Sequence, residues 1–343
     1  MHAQAITSST TNYLGGISWW FANTMHSLVC ISVPLFVMLT GALMLSKPSI
    51  RFHDVWSKVY KQFLLPLGVW WLLYYWWQTS SSGQVFRLAE LFKRFFYTDI
   101  GHLYYLQVVI GLYLVLPVIH RLIKSSSYKR KLYILVVVTV LTISYKLLSF
   151  LVFKTYYNTN LFLIFLPYVS YLLWGEFLSH ISLKRKQLYI LLGVSAVLTL
   201  IISVLSYINT TTFNQGFLLF WSNVGGNFFW DVFTPPVMML ACIVFICLLN
   251  LEEILPNVFR SRRLARIITT LSGASFGVYL IHPWVMEVID SSFQLSIQFI
   301  SYSLAIWYIQ RLTAVFIAST VLVLIMHRIP GIKYAFGIKS IRS

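Results

Sequence analysis

Ser275-Phe276-Gly277-Val278-Tyr279-Leu280-Ile281-His282-Pro283 closes an apolar run of bilayer length on a histidine and a proline. A histidine in a membrane span costs free energy unless it faces a cavity or a partner, so His282 is a functional candidate. Pro283 removes a backbone donor and can turn a ring or a carbonyl toward a cavity. A second apolar segment, Ser32-Val33-Pro34-Leu35-Phe36-Val37-Met38-Leu39-Thr40-Gly41, also carries residues that mid-membrane helices tend to exclude. With Gly101-His102-Leu103-Tyr104-Tyr105-Leu106, these stretches point to an integral membrane enzyme rather than a channel or a scaffold.

The composition fixes the class. Hydrophobic residues make up 58% of the 343 and charged residues only 10%, whereas a soluble domain carries about 25% charged residues. About 20 mostly apolar residues span a bilayer. Nine such stretches fall near 25–46, 60–78, 102–120, 132–153, 161–179, 188–208, 232–250, 268–289 and 302–326. The expected fold is all-α, a polytopic transmembrane helical bundle of about nine spans. No linker is long enough to divide it, so residues 1–343 are expected to form a single membrane-embedded domain.

A net charge of +17 raises nucleic acid as a partner, but the placement of the charges argues against it. Most Lys and Arg residues fall in alternate loops, around Lys47–Lys61, Arg121–Lys131, Lys184–Lys186, Arg260–Arg266 and the tail from Arg328. That is the positive-inside pattern, and it places the C-terminus in the cytoplasm. Nine spans then put residue 1 outside. No charged side chain precedes Lys47 and no basic segment leads an apolar stretch, so no signal peptide is expected. A span preceding residue 1 is expected to be missing, the alternative being a natural nine-span protein.

The candidate chemistry is sparse. His102 opens a span three residues after Asp99, which can orient the imidazole in an acid–base pair or simply cap the helix. His26, beside Asn23 and Thr24, reads as interfacial. Lys146 and Arg311 lie inside spans and need acidic partners, for which Glu176 is one candidate. The Asn209–Asp231 loop has no Lys or Arg and gathers Asn223, Trp221 and Trp230. That mixture suits a sugar, or else an aromatic belt at headgroup depth. Cys30, Cys242 and Cys247 show no metal-ligand spacing and read as small buried hydrophobes. No phosphate-binding loop, zinc motif or nucleophile elbow is present.

Four segments together resemble the acyltransferase-3 family of bacterial membrane proteins. Val33-Pro34-Leu35-Phe36-Val37-Met38-Leu39-Thr40-Gly41 resembles its V-P-L-F-F-M-x-S-G stretch, and Gly101–Leu106 with Tyr113 and Pro117 its H-L-W-Y-L…Y-L…P span. Ser275–His282 resembles its S-x-G-I-Y-L-I-H span, and Arg328-Ile329-Pro330 its short basic-I-P motif. The resemblance covers nearly the whole chain and is nearest to the branch acting on surface polysaccharide and to the adhesin-modifying branch. It implies a ten-span enzyme of the bacterial cytoplasmic (inner) membrane. The enzyme would move an acyl group, commonly acetyl, from coenzyme A to a hydroxyl of an envelope glycan or its lipid-linked precursor.

By the same resemblance His2 matches the family's catalytic histidine, acting as general base or transient acyl carrier. His102 and His282 would line the cavity with it. Asp99, Tyr105, Asn223, Asp231 and Tyr279 are the expected substrate-binding residues. Acetyl-CoA is the expected donor, and no metal and no nucleic acid are expected. The sequence departs from the family at Cys30, where an arginine is common. The rival readings are a non-catalytic glycan exporter or flippase and an N-terminally truncated, inactive relative.

Overall fold

The structure, a computed structural model, describes residues 14–83, 85, 87–91, 101–153, 163–215, 228–292, 304–329 and 331–336. Among them every regular element is a helix. That follows from the long apolar runs, since in lipid a helix satisfies its own backbone hydrogen bonds. The chain is an all-α polytopic bundle.

Seven helical stretches are long and apolar enough to cross a membrane: Trp19–Leu45, Gly101–Lys124, Tyr128–Ser149, Arg185–Thr211, Phe228–Leu249, Arg262–Ser292 and Ile309–Met326. The other two expected spans are helical but interrupted. The one expected at 60–78 is split by a π-turn at Tyr60–Leu64 before a 17-residue helix, Leu65–Ser81. The one expected at 161–179 has a 3₁₀ turn over Leu166–Tyr168, carrying Pro167, before a helix of only 10 residues. Apolar composition predicted the runs but not these local breaks.

The chain divides into two compact units. The first takes its described residues from 1–51 and 114–255. In it α1 (Ile17–Val29) and α2 (Ser32–Leu45) share one span, broken at Cys30–Ile31. Tyr128–Phe153 is α3 and the helix Val169–Leu178 is α4. Arg185–Gln215 is α5, which packs on both α1 and α6 (Pro235–Leu249). Between α2 and α4 the backbones nearly touch. A side chain at Gly41 would run into the Leu172 carbonyl, and one at Gly175 into the Met38 carbonyl. Small residues at a crossing let membrane helices pack by van der Waals contact, where no water drives association. The glycine that ends the Val33–Gly41 motif is therefore a packing residue.

The expected intramembrane ion pairs form, with one change of partner. Lys146 lies 3.4 Å from Asp231, and Glu176 pairs with Lys131 at 2.9 Å instead of with Lys146 or Arg311. Glu176 lies near the end of α4 and Lys131 near the start of α3, a local match that spacing alone did not reveal. Asp231 is 8% exposed. Lys146→Met, by stranding that carboxylate, is expected to cost about 3 kcal/mol of stability, read as a lower midpoint in thermal unfolding.

The second unit takes its described residues from 52–113 and 256–343. Its core joins Leu67, Trp70 and Trp71 to Leu103, Leu106, Leu280, Ile281 and Val323. The long helix Arg262–Ser292 (α7) packs on Leu304–Met326 (α8). Gly277 permits the approach, since a Cβ there would meet a Val323 methyl at 2.7 Å. Arg311 pairs bidentately with Asp290, its Nε donating at 2.7 Å.

Candidate active site

Pro283 sits inside α7. Having no N–H, it cannot bond the carbonyl one turn back, that of Tyr279. The His282 imidazole takes over. Its Nδ1 lies 2.8 Å from the Tyr279 oxygen and 3.3 Å from that of Val278. Both partners are carbonyls and can only accept, so Nδ1 must be the donor. The neutral ring then carries its lone pair on Nε2, the form that can take a proton from a hydroxyl. The order His-Pro thus selects the tautomer.

Around His282 the second unit gathers three more of the expected residues. The His102 ring lies 5.4 Å from that of His282 and 5.5 Å from that of Tyr279. Tyr105 stands 5.7 Å from Tyr279. His102 is held in a 3₁₀ turn, Gly101–Leu103, entered through Gly101 at φ +56°, a left-handed conformation that glycine adopts without strain. The Tyr279 hydroxyl donates to the His102 carbonyl, tying that turn to α7. His102, Tyr105, Tyr279 and His282 are all half-buried, which suits groups that must meet a ligand.

Tyr74 belongs to this cluster and was not anticipated. Its ring is 5.0 Å from that of His102, and its hydroxyl donates to the Leu280 carbonyl at 2.8 Å. The signal was hidden in a run of aromatics, Trp70–Trp77, that reads as ordinary apolar span. Lys58 belongs, by its sequence, to the first of the basic loop clusters. It is partly buried, and its Nζ donates to the Tyr113 hydroxyl at 2.7 Å and lies 4.7 Å from that ring. Burial lowers its pKa below the ordinary lysine value.

Asp231 lies in the first unit, with both carboxylate oxygens engaged. One faces Lys146 and the other accepts the Phe233 N–H at 2.8 Å. His26 is buried rather than interfacial, its ring 4.5 Å from that of Trp230. His2, Asp99 and Asn223 fall outside the described residues.

Compared with known families, residues 2–328 match the sequence model of an acyltransferase domain, that of the acyltransferase-3 family. The chain belongs to that family. No curated protein and no solved structure matches it. Membership makes this integral membrane protein an acyltransferase, and the four motif segments all lie within or at the edge of the matched range. Acyl transfer calls for a base beside the acceptor's nucleophile, and a neutral histidine of fixed tautomer has the chemistry of one.

Proposed function

We propose that the protein is an O-acyltransferase of the bacterial cytoplasmic membrane, with its C-terminus in the cytoplasm. It would move an acyl group, acetyl in the simplest case, from acyl-coenzyme A to a hydroxyl of an envelope glycan or its lipid-linked precursor. The observation that carries the reading is the His282 imidazole, locked on the Tyr279 carbonyl and facing the His102 ring.

In the reaction a histidine Nε2 takes the acceptor's hydroxyl proton while the oxygen attacks the thioester carbonyl. The C–S bond breaks, and the coenzyme A thiolate leaves and is protonated. His2 fills the base or acyl-carrier role by resemblance, and His102 and His282 hold donor or acceptor in place and steady the proton. Tyr105 supplies a hydroxyl toward the substrate, and Tyr279, whose hydroxyl donates to the His102 carbonyl, offers the substrate an acceptor oxygen. Asp99 and Asn223 remain candidates for contacts with the sugar.

The donor's phosphates call for cations on the cytoplasmic side, and Lys58 is suited to them because Tyr113 fixes its position. Lys58→Met is expected to raise KM for acetyl-coenzyme A several-fold with little change in kcat, measured by steady-state kinetics in lipid nanodiscs.

The direct test is the base-labile ester content of surface glycan in cells with and without the gene. Loss of ester on deletion, restored by the wild type but not by His2→Ala, is the expected result. Unchanged ester with less surface glycan would replace this reading with export.

A further inference from the structure

The first unit contains a polar seam that neither the ion pairs nor the acyl-transfer chemistry uses. Asn23, His26 and Ser27 recur at helical spacing on one face of α1. Across from them Ser203 and Ser206 lie on one face of α5. The Asn23 amide donates to the Ser203 carbonyl at 2.8 Å, and the Ser203 hydroxyl to that of Ser27 at 3.1 Å. Trp230 closes the seam, its ring tilted against that of His26 at 4.5 Å.

Four side chains there are over nine-tenths buried and each has a polar atom with no partner among the described residues. These are Asn23 Oδ1, His26 Nδ1, Ser206 Oγ and Trp230 Nε1. Leaving one buried polar group unsatisfied costs about 1–3 kcal/mol. Four in one seam therefore point to an occupant. Asn23 and His26 are one turn apart, and Ser206 is one turn beyond the residue that Asn23 bonds.

The inventory of these atoms defines the chemistry. Trp230 Nε1 only donates and Asn23 Oδ1 only accepts, while Ser206 does both and His26 Nδ1 does either according to tautomer. A cation would face the indole N–H, and an anion would face the amide oxygen. The adjacent charges, Asp231 and Lys146, neutralise each other. No group of three or more His, Cys, Asp or Glu that could hold a metal ion occurs among the described residues. What fits is a neutral group that donates and accepts at once.

We propose that this seam is a second binding site, one that takes hydroxyl groups, supplied either by trapped water or by a sugar. Its residues are separate in sequence and in unit from the His102–His282 cluster, so its occupancy is testable without turnover.

The experiment is radiolytic hydroxyl-radical labelling of the full chain in nanodiscs, read by mass spectrometry as the ratio of oxidation at Trp230 to that at Trp70. Trp70 is the internal control because it is equally buried, at 7% exposed against 8%, and its indole N–H already bonds the Ala335 carbonyl. A ratio several-fold above one, unchanged by glucose, galactose or N-acetylglucosamine, supports the site with water as occupant. A ratio that these sugars lower, with Ser206→Ala weakening their effect, supports it with a sugar hydroxyl. A ratio near one with and without the sugars means a dry seam and overturns the proposal. Taking the ratio removes the general scavenging of radicals by sugar.

Discussion

Gly41→Ala is expected to leave the first unit unable to hold its native packing, although it adds a single methyl group. That methyl would be driven into the Leu172 carbonyl. A flexible side chain could step aside, but a helix backbone cannot. Either α2 and α4 move apart along their whole crossing, or the carbonyl leaves its own helical bond. Overpacking costs about 1–3 kcal/mol in ordinary cores, where side chains yield. Here the cost should reach or exceed about 3 kcal/mol, the upper end of that range.

Gly175→Ala should match it, since its methyl would meet the Met38 carbonyl on the other side of the same crossing. Gly68→Ala is the control. Nothing lies within 4 Å of that position, and replacing a helical glycine by alanine gains about 1 kcal/mol. Thermal unfolding followed by size-exclusion in detergent reads all three. If Gly41→Ala and Gly175→Ala stay as monodisperse and as heat-stable as Gly68→Ala, the close crossing is wrong.

His282→Ala is expected to remove most acyl transfer while leaving the fold intact. His282 steadies the proton that His2 takes, so the loss is bounded above by the contribution of general acid–base assistance, about 10²–10⁴-fold. A structural histidine would give a loss of stability instead, so kcat and the unfolding midpoint should be measured together. Pro283→Ala makes the finer test. It returns an N–H to the Tyr279 carbonyl, which then competes with His282 Nδ1 for the same acceptor. The ring is freed to turn or to change tautomer, and kcat should fall less than in His282→Ala. In the wild type, activity should fall as the pH drops through the imidazole titration, because a protonated ring donates from both nitrogens and cannot accept. The proline variant should show that acid limb at a different pH. An unchanged pH profile would count against the lock.

The sequence was most legible where a rule of chemistry acts on neighbours. The apolar runs gave the helical bundle, and His282 stood out because imidazole is expensive in a span. His102, Tyr105, Tyr279 and His282 do come together. The lock on the Tyr279 carbonyl was half visible, since Pro283 announced an orphaned oxygen but not what would fill it. Less legible was whatever depends on which helix lies opposite. Glu176 found Lys131 because α4 packs on α3. Asp231 was taken up by Lys146. The seam of Asn23 and Ser203 needs α1 beside α5. Tyr74 was lost among like residues, where composition carries no contrast.

The π-turn at Tyr60–Leu64 changes how this chain should be aligned with its relatives. In an unbroken α-helix residues seven apart share a face, so Lys58 would point the way Leu65 does. A π-turn holds one residue more per turn and rotates everything before it by roughly 100°. That rotation carries Lys58 from the face opposite Leu67, Trp70 and Trp71 round toward their side of the helix, where its Nζ meets Tyr113. The surplus residue works as a phase shift. A relative lacking it would offer Tyr113 a different neighbour, even with the same lysine in its sequence. The length of chain between the cation and the aromatic helix is thus a character in its own right, and a one-residue gap in that interval is a change of chemistry.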